Sequence, residues 1–552
     1  MYLKGRNGFF KLWYFLRTYV LTLKRFDLFL QGSLLIVTLL ESNVYLLLQR
    51  DQNDGNNSPY IQDWILVAAG GTEFLFGAFL AWIGRHRRQY ALSGWLAVTA
   101  TASLIVLAFP FAESNPASVE LCGGETISSY LVIVDNNYKA RTIILIITAL
   151  LSSLTKISIW AHGLTYLDDH EPQNGPYFYG ILISIRLSLG LSSSSWLQPS
   201  SLTENWWKSH LSISMLTMMF AIFFTLFPKK LSQMRRTENR TLWLGAPKSQ
   251  GANAGQLPRN AGALLDEFVL QEEAPKEARF HIEAIRQDPR TSRLVSDIYR
   301  PLVVIFFVMI FRIRFSDRRT DGVKANTASR VGGIVALVVC VFFAALASLS
   351  CTIQDIQGSN DGSIQPECSL QCGCNSERYG FSPVCGLDSQ TTFFSPCTAG
   401  CLQYEDFNGF LLFQNCTCGF QKAIRGACSL NDCRLAYSIY QVIYTTILAV
   451  SGASFLMQGM VLLRAVERVD KPVAIGFSFG GIGLFSFVIG HLLYMVVSRL
   501  TCNFSSSSGE CILHHPTLWI MLVVSLLLTL VSSIFSLATS FTAYKYFPTT
   551  DL

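Results

Sequence analysis

The sequence predicts an all-α polytopic membrane protein carrying one small disulfide-rich domain outside the bilayer, and three observations predict it. First, 50% of the 552 residues are hydrophobic and only 14% are charged, and the mean hydropathy is +0.35. An ordinary soluble protein carries about 25% charged residues. So little polar surface cannot cover so much apolar side chain in water, which excludes a water-soluble enzyme and a disordered or collagen-like chain. Second, the apolar residues gather into runs long enough to cross a bilayer. Third, 10 of the 15 cysteines fall between 368 and 433.

A helix rises about 1.5 Å per residue, so roughly 18 apolar residues cross a hydrocarbon layer of ~30 Å. Ten such runs lie near 28–48, 61–83, 91–112, 142–166, 177–197, 208–228, 331–350, 435–462, 473–498 and 517–544. Ahead of them, 9–23 mixes Lys11 and Arg17 with aromatics and has no small-residue cleavage site after it, so it reads as an interfacial segment and not a cleaved signal. Short basic loops stay in the cytoplasm. The turn after the second run holds Arg85, His86, Arg87 and Arg88, and the exit from the sixth holds Lys229, Lys230, Arg235 and Arg236. Both stand an even number of spans from the N-terminus, which is therefore expected inside, together with 229–300. That segment is rich in Gly, Ala and Gln at 245–263 and of mixed charge beyond, the pattern of a linker and a surface helix over 274–286. It lacks the aromatic interleaving of a nucleic-acid-binding stretch.

The apolar piece 302–311 lies between Arg300 and Arg312 and covers about half the hydrocarbon. If it crossed, the cysteine-rich block would lie in the reducing cytoplasm, where disulfides do not persist. If it does not, seven spans precede the block, the block lies outside, and three spans return the C-terminus to the cytoplasm.

The block runs Cys368, Cys372, Cys374, Cys385, Cys397, Cys401, Cys416, Cys418, Cys428 and Cys433. Irregular spacing and an even count favour five disulfides over zinc knuckles, and spacing leaves their connectivity open. Cys340 falls within a span. Cys502 and Cys511 sit close enough to close a small ring, which leaves Cys122 and Cys351 as a possible pair. Asn56, Asn415 and Asn503 are glycosylation sequons on the outer side, whereas Asn239 is expected inside and bare. The stretch from Pro383 to Cys401 resembles a Kazal-type module, which implies either a protease-inhibitory loop or a stapled extracellular cap.

A Kazal-like module before the third-last span, followed by Leu463-Arg464-Ala465-Val466 and Ala474-Ile475-Gly476, resembles the organic anion transporting polypeptides, a branch of the major facilitator type. Gly84 with His86-Arg87, Tyr166-Leu167-Asp168-Asp169-His170, Tyr179-Gly180-Ile181, Trp206-Trp207 and Phe227-Pro228-Lys229 agree with it. The resemblance implies a two-bundle architecture of about 10–12 helices. It also implies sodium-independent secondary transport of amphipathic organic anions at the plasma membrane: steroid conjugates, bile acids, thyroid hormones, eicosanoids. No cofactor, resident metal or enzyme chemistry is implied, and the partners are small anions and membrane lipid, with no nucleic acid. The seventh and eighth helices are shortened to the remnant at 302–311. The expected organisation is 1–27 interfacial N-terminus, 28–228 first bundle, 229–300 cytoplasmic loop, 301–350 incomplete second-bundle helices, 351–434 extracellular module, and 435–552 last three spans with a short tail. The alternative is a transport-defective relative that acts through its module as a binding or protease-inhibitory protein.

Charges inside a span cost about 2.5–3.5 kcal/mol or more, so they are functional candidates. An anion path needs cations on an apolar wall, which singles out Lys156 and Arg186. Glu73 aligns with an acid usual in the family, Glu41 is comparable, and His491 would bind an anion when protonated. Lys156 and Arg186 read equally as charges paired with a neighbouring acid, and His162 reads as structural. Arg87, Asp168 and Asp169 are candidates for a cytoplasmic gate, the plain alternative being a solvated turn with a helix cap. Ser152 and Gly483 stand where the family commonly has arginines, Phe111 where many members carry a histidine, and Arg499 where an acid is usual. Little acid stimulation is therefore expected.

Overall fold

A computed structural model describes residues 21–53, 61–111, 120–123, 138–171, 174–189, 206–228, 302–306, 309, 325–349, 356–357, 365–376, 380–387, 391–407, 410–428, 431–505, 511–514 and 519–546. Six helices come first: α1 (Leu23–Asn53), α2 (Ile61–Gly84), α3 (Arg88–Val106), α4 (Tyr138–His170), α5 (Gly175–Leu189) and α6 (Trp206–Leu226). After the short turn at 302–306 come α7 (Ala325–Ser348), α8 (Asn431–Ala465), α9 (Lys471–Leu500) and α10 (Trp519–Tyr546). Among the described residues, nine of these helices are long and apolar enough to cross a membrane. The fifth expected span is described only as α5, which ends at Leu189. Asn56, Cys351 and the segments 9–20 and 229–300 lie outside the described residues, and so does most of 307–311.

Lipid gives helices no hydrophobic reason to associate, so close packing and hydroxyl bridges hold them together. In the first group, α1–α6 pack around Phe26, Leu30, Leu34, Trp160, Leu182 and Phe224, with Val304 of the short turn buried in the same core. Thr99 of α3 meets Thr155 of α4 at 2.6 Å, and Ser103 of α3 meets Ser214 of α6 at 2.6 Å. The second group, α7, α8 and α10, is laced the same way. Ser329 and Ser536 each donate to the other's backbone carbonyl (2.7 and 2.9 Å), and Ser533 donates to Gly333 at 2.8 Å.

The groups meet where α2 crosses α9. A Cβ on Gly77 would lie 2.8 Å from the Gly476 carbonyl, one on Gly476 would lie 2.6 Å from the Gly77 carbonyl, and one on Gly483 would lie 2.7 Å from that of Gly70. The two backbones are in contact over two turns, and only glycine leaves room. Both α4 and α9 loosen into π-helix at this level, at Ile159–Leu164 and Gly483–Gly490. The hydrophobic pattern runs through both stretches unbroken, so periodicity carries no sign of them.

The disulfide-rich module is a five-stranded antiparallel sheet in the order β2-β1-β5-β4-β3, built from β1 (Val384–Gly386), β2 (Thr392–Phe393), β3 (Cys401–Phe407), β4 (Phe410–Cys416) and β5 (Lys422–Arg425). Its core of Val384, Phe393, Phe413, Phe420 and Ala423 is too small to stand alone. Four disulfides staple it: Cys368–Cys418, Cys374–Cys397, Cys385–Cys428 and Cys401–Cys416. A fifth corrects an expectation. Cys122, read as a possible partner of Cys351, is bonded to Cys372, so the cysteine block does not close on itself. Residues 120–123, from the loop between α3 and α4, lie against the module, and loop proximity of this kind is invisible to spacing. Cys502–Cys511 closes the small ring expected, across the hairpin of β6 (Cys502–Ser505) and β7 (Cys511–His514). Cys340 is buried and reduced. Asn415 and Asn503 are both exposed.

A leucine at Gly77 should lower the thermal midpoint in detergent and the surface abundance, at an overpacking cost of about 1–3 kcal/mol. Leucine at Gly71, where a Cβ meets nothing within 4 Å, should do neither. Equal effects at the two positions would mean that the crossing is not close-packed.

Candidate functional site

At the end of the helices opposite the disulfides, both groups contribute charges to one cluster. Asp168, fully buried in the last turn of α4, accepts from Lys471 Nζ at 2.5 Å and faces Arg464 Nη2 at 3.4 Å. Asp169 accepts from Arg88 Nη1 at 2.7 Å and faces Arg468 Nε at 3.3 Å. Arg88 Nη2 also donates to the Arg468 carbonyl at 2.8 Å, and Arg85 faces Asp470 at 3.8 Å. The cations of the α8–α9 turn are thus held by acids of α4, with Arg88 as the bridge. Arg87, expected in this role, is exposed, and its neighbour Arg88 makes the pair. Adjacent side chains on a turn point apart, so sequence alone could not choose between them.

Most of these charges stand at the wrong end of their own helix. Arg88 and Lys471 open α3 and α9, where the helix dipole is positive, and Asp168 and Asp169 close α4, where it is negative. Each placement costs about 0.3–1 kcal/mol in isolation, and pairing across the groups offsets it. Gly175, at the start of α5, is part of the fit: a Cβ there would lie 2.6 Å from Asp168 Oδ1 and 3.0 Å from Arg464 Nη2.

About 12 Å deeper, at eight residues of rise from Asp168 and from Lys471, the groups touch again through aromatic rings. Trp160 of α4 contacts Tyr179 of α5 and Phe479 of α9, both at 5.4 Å between centroids. Tyr179 also packs on Phe455 of α8 at 5.8 Å. A Cβ on Gly459 would strike the Tyr179 hydroxyl at 2.4 Å, so this glycine admits the ring. Sequence reasoning missed this layer, because its members sit on four helices among 39 phenylalanines and 20 tyrosines.

The path candidates are scattered. Lys156 donates to both carboxylate oxygens of Glu41 at 2.8 Å, joining α4 to α1 as an internal pair. Glu73 is buried on α2 against Gly483. His491 Nε2 lies 3.3 Å from Asp63 Oδ1, near the outer end of α2. Arg186 lies in α5, and its side chain is outside the described residues. The departures have physical reasons. Gly483 is consumed by the helix crossing, where an arginine would collide with backbone. Ser152 is fully buried and donates to the Thr148 carbonyl at 2.8 Å. Phe111 is stacked by two guanidiniums, Arg141 at 4.2 Å and Arg50 at 5.0 Å, and meets Trp206 edge-on at 4.8 Å.

One further constellation was not anticipated. His210 of α6 accepts from Asn43 of α1 at Nδ1 (2.7 Å) and donates from Nε2 to the Ser103 carbonyl of α3 (3.0 Å). It ties three helices of the first group.

Helical spans, a disulfide-stapled module and a cross-group ionic cluster at the opposite end define a multi-pass membrane protein. A family model described as the Organic Anion Transporter Polypeptide (OATP) family matches residues 321–518. The chain is 22% identical over 452 residues to "Solute carrier organic anion transporter family member 2B1" of Rattus norvegicus, a match covering 67% of this chain and 64% of that protein. It is also 22% identical to "Solute carrier organic anion transporter family member 74D" of Drosophila melanogaster, over 66% of this chain and 49% of that protein. The chain thus spans between about half and two thirds of these relatives' length, and over that part it is similar to members of the organic anion transporter family.

Asp168→Asn should leave Lys471 buried against a neutral amide and lower the thermal midpoint, in line with the about 3–5 kcal/mol cost of breaking a buried pair. Lys471→Met in the same chain should recover a large part of the loss. Two losses that simply add would exclude a direct pair.

Proposed function

We propose that this protein is a secondary transporter that moves amphipathic organic anions across the plasma membrane by alternating access, without sodium coupling, with its N- and C-termini in the cytoplasm. The observation that carries the reading is the charge cluster joining Asp168 and Asp169 to Lys471, Arg464 and Arg88. Such a cluster joins the inner ends of two helix groups by contacts that are strong only while the groups touch, which is what a rocking mechanism needs of an inner gate. The names of the relatives support the cargo class. The orientation is supported by the ends of the helices: basic turns gather at one end, and disulfides with exposed Asn415 and Asn503 at the other. In the gate reading the acids hold the inner end shut. The Trp160 layer forms the dry floor above them, and the path lies toward the module, past Glu73 and Lys156. Lys156 is already neutralised by Glu41, so its share in anion binding depends on release from that acid during the cycle.

Cells expressing the full chain should take up radiolabelled estrone sulfate above vector controls when corrected for surface abundance, and replacing sodium with choline should not reduce it. Surface-exposed protein with no uptake of any large organic anion would sink the reading. Uptake should change less than about twofold between about pH 7.4 and about pH 6. Phe111→His should not add an acid response, because Arg50 and Arg141 at that ring would hold the new imidazole neutral. A steep acid rise created by Phe111→His would overturn this account of the site.

A further inference from the structure

The loop between α3 and α4 belongs to the first helix group, and the extracellular module is inserted between α7 and α8 of the second. The two are nevertheless joined. Cys122 is bonded to Cys372, 250 residues away. The Cys122 amide donates to the Cys401 carbonyl at the start of β3 (2.8 Å), and Leu121 packs on the module core. Glu120 Oε1 accepts from the Asn375 amide at 2.5 Å. Burial pushes the Glu120 carboxyl above the usual carboxylate range, with the Asn375 amide pulling it back. Glu120 also lies close to the sulfurs of Cys374 and Cys397, but these are spent in a disulfide and offer no metal site.

On its other flank the module is held by the second group. Phe504 of β6 stacks on Phe381 at 5.1 Å and meets Phe394 edge-on at 5.6 Å, and the Phe381 amide donates to the Ser505 carbonyl at 2.8 Å. With its two peptide connections to α7 and α8, this leaves the module anchored to the second group at three points. Among the described residues, its anchor to the first group is the contact at 120–123, with one covalent bond in it.

We propose that the Cys122–Cys372 disulfide makes the extracellular module a redox-releasable strap that bridges the outer ends of the two helix groups and keeps the module across the mouth of the path. Without the bond, the module would ride on the second group alone. Cys122 and Cys372 are both half-buried, as are Cys502 and Cys511, and Cys368 of the Cys368–Cys418 pair is exposed, so an external reductant reaches the strap together with these bonds and the double serine variant isolates its effect.

The strap itself is independent of the transport reading, while its consequence for access rests on it, and the test separates the two. A protease site placed within 229–300 divides the full chain between the groups. On a denaturing gel without reductant the two fragments should run joined, and in C122S/C372S they should run apart. Amide exchange at 120–123 should rise at least about tenfold in that variant and in the parent after an impermeant phosphine. The ratio of uptake of a fluorescein-conjugated bile acid to that of estrone sulfate should rise about threefold on either treatment, with no further rise when the variant is reduced. Fragments that separate without reductant, or an exchange rate unchanged by loss of the bond, would overturn the strap. An uptake ratio unchanged while the fragments and exchange behave as expected would overturn its role over the path. If no variant takes up either anion, the transport reading fails, and the fragments and the exchange still decide the strap.

Discussion

Everything in the arrangement depends on the close approach of α2 and α9. Lipid offers helices no reward for hiding apolar side chains, so two helix groups stay together only where their backbones come close enough for dispersion contacts over many atoms. Gly70 and Gly77 on one helix and Gly476 and Gly483 on the other provide that approach. With the crossing fixed, the starts of α3 and α9 and the end of α4 arrive at one level, and their charges have no choice but to meet. The same crossing sets Glu73 against Gly483 and fixes the distance at which Trp160 reaches Phe479.

The two ends of the molecule then use different physics. At the inner end the contacts are ionic and partly buried, strong at contact and quickly replaced by water when the groups part. Charges set against their own helix dipoles sharpen that contrast, because each gains more from its partner across the groups than from its own helix. At the end that carries the module the connection is covalent.

Much of this was legible in the sequence. Nine of the ten expected spans are helices of sufficient length, the disulfide-rich insertion lies where the cysteines crowd, and Cys502–Cys511 closes the ring expected of it. Asp168 and Asp169 were picked out as a pair, and Lys156 with Glu41 as unusual charges within spans. What failed to show was anything that depends on two distant segments meeting. The bond of Cys122 to Cys372, the choice of Arg88 over Arg87, the aromatic layer of Trp160, Tyr179, Phe455 and Phe479, and His210 bridging Asn43 and Ser103 each join residues far apart in the chain.

By itself, the sequence determined the solvent of each segment: which stretches lie in lipid, which carry the basic turns and which cross-link outside. These follow from local composition, because transfer free energies add along a run of residues whatever the rest of the chain does. Only the tertiary structure decided the partners. Whether a glycine marks a turn or a backbone contact, and whether an acid is solvated or locked to a lysine 303 residues away, depends on which faces the helix crossings bring together. Hydropathy carries no phase information about that, since a helix apolar all round shows no face of its own until another backbone is laid against it.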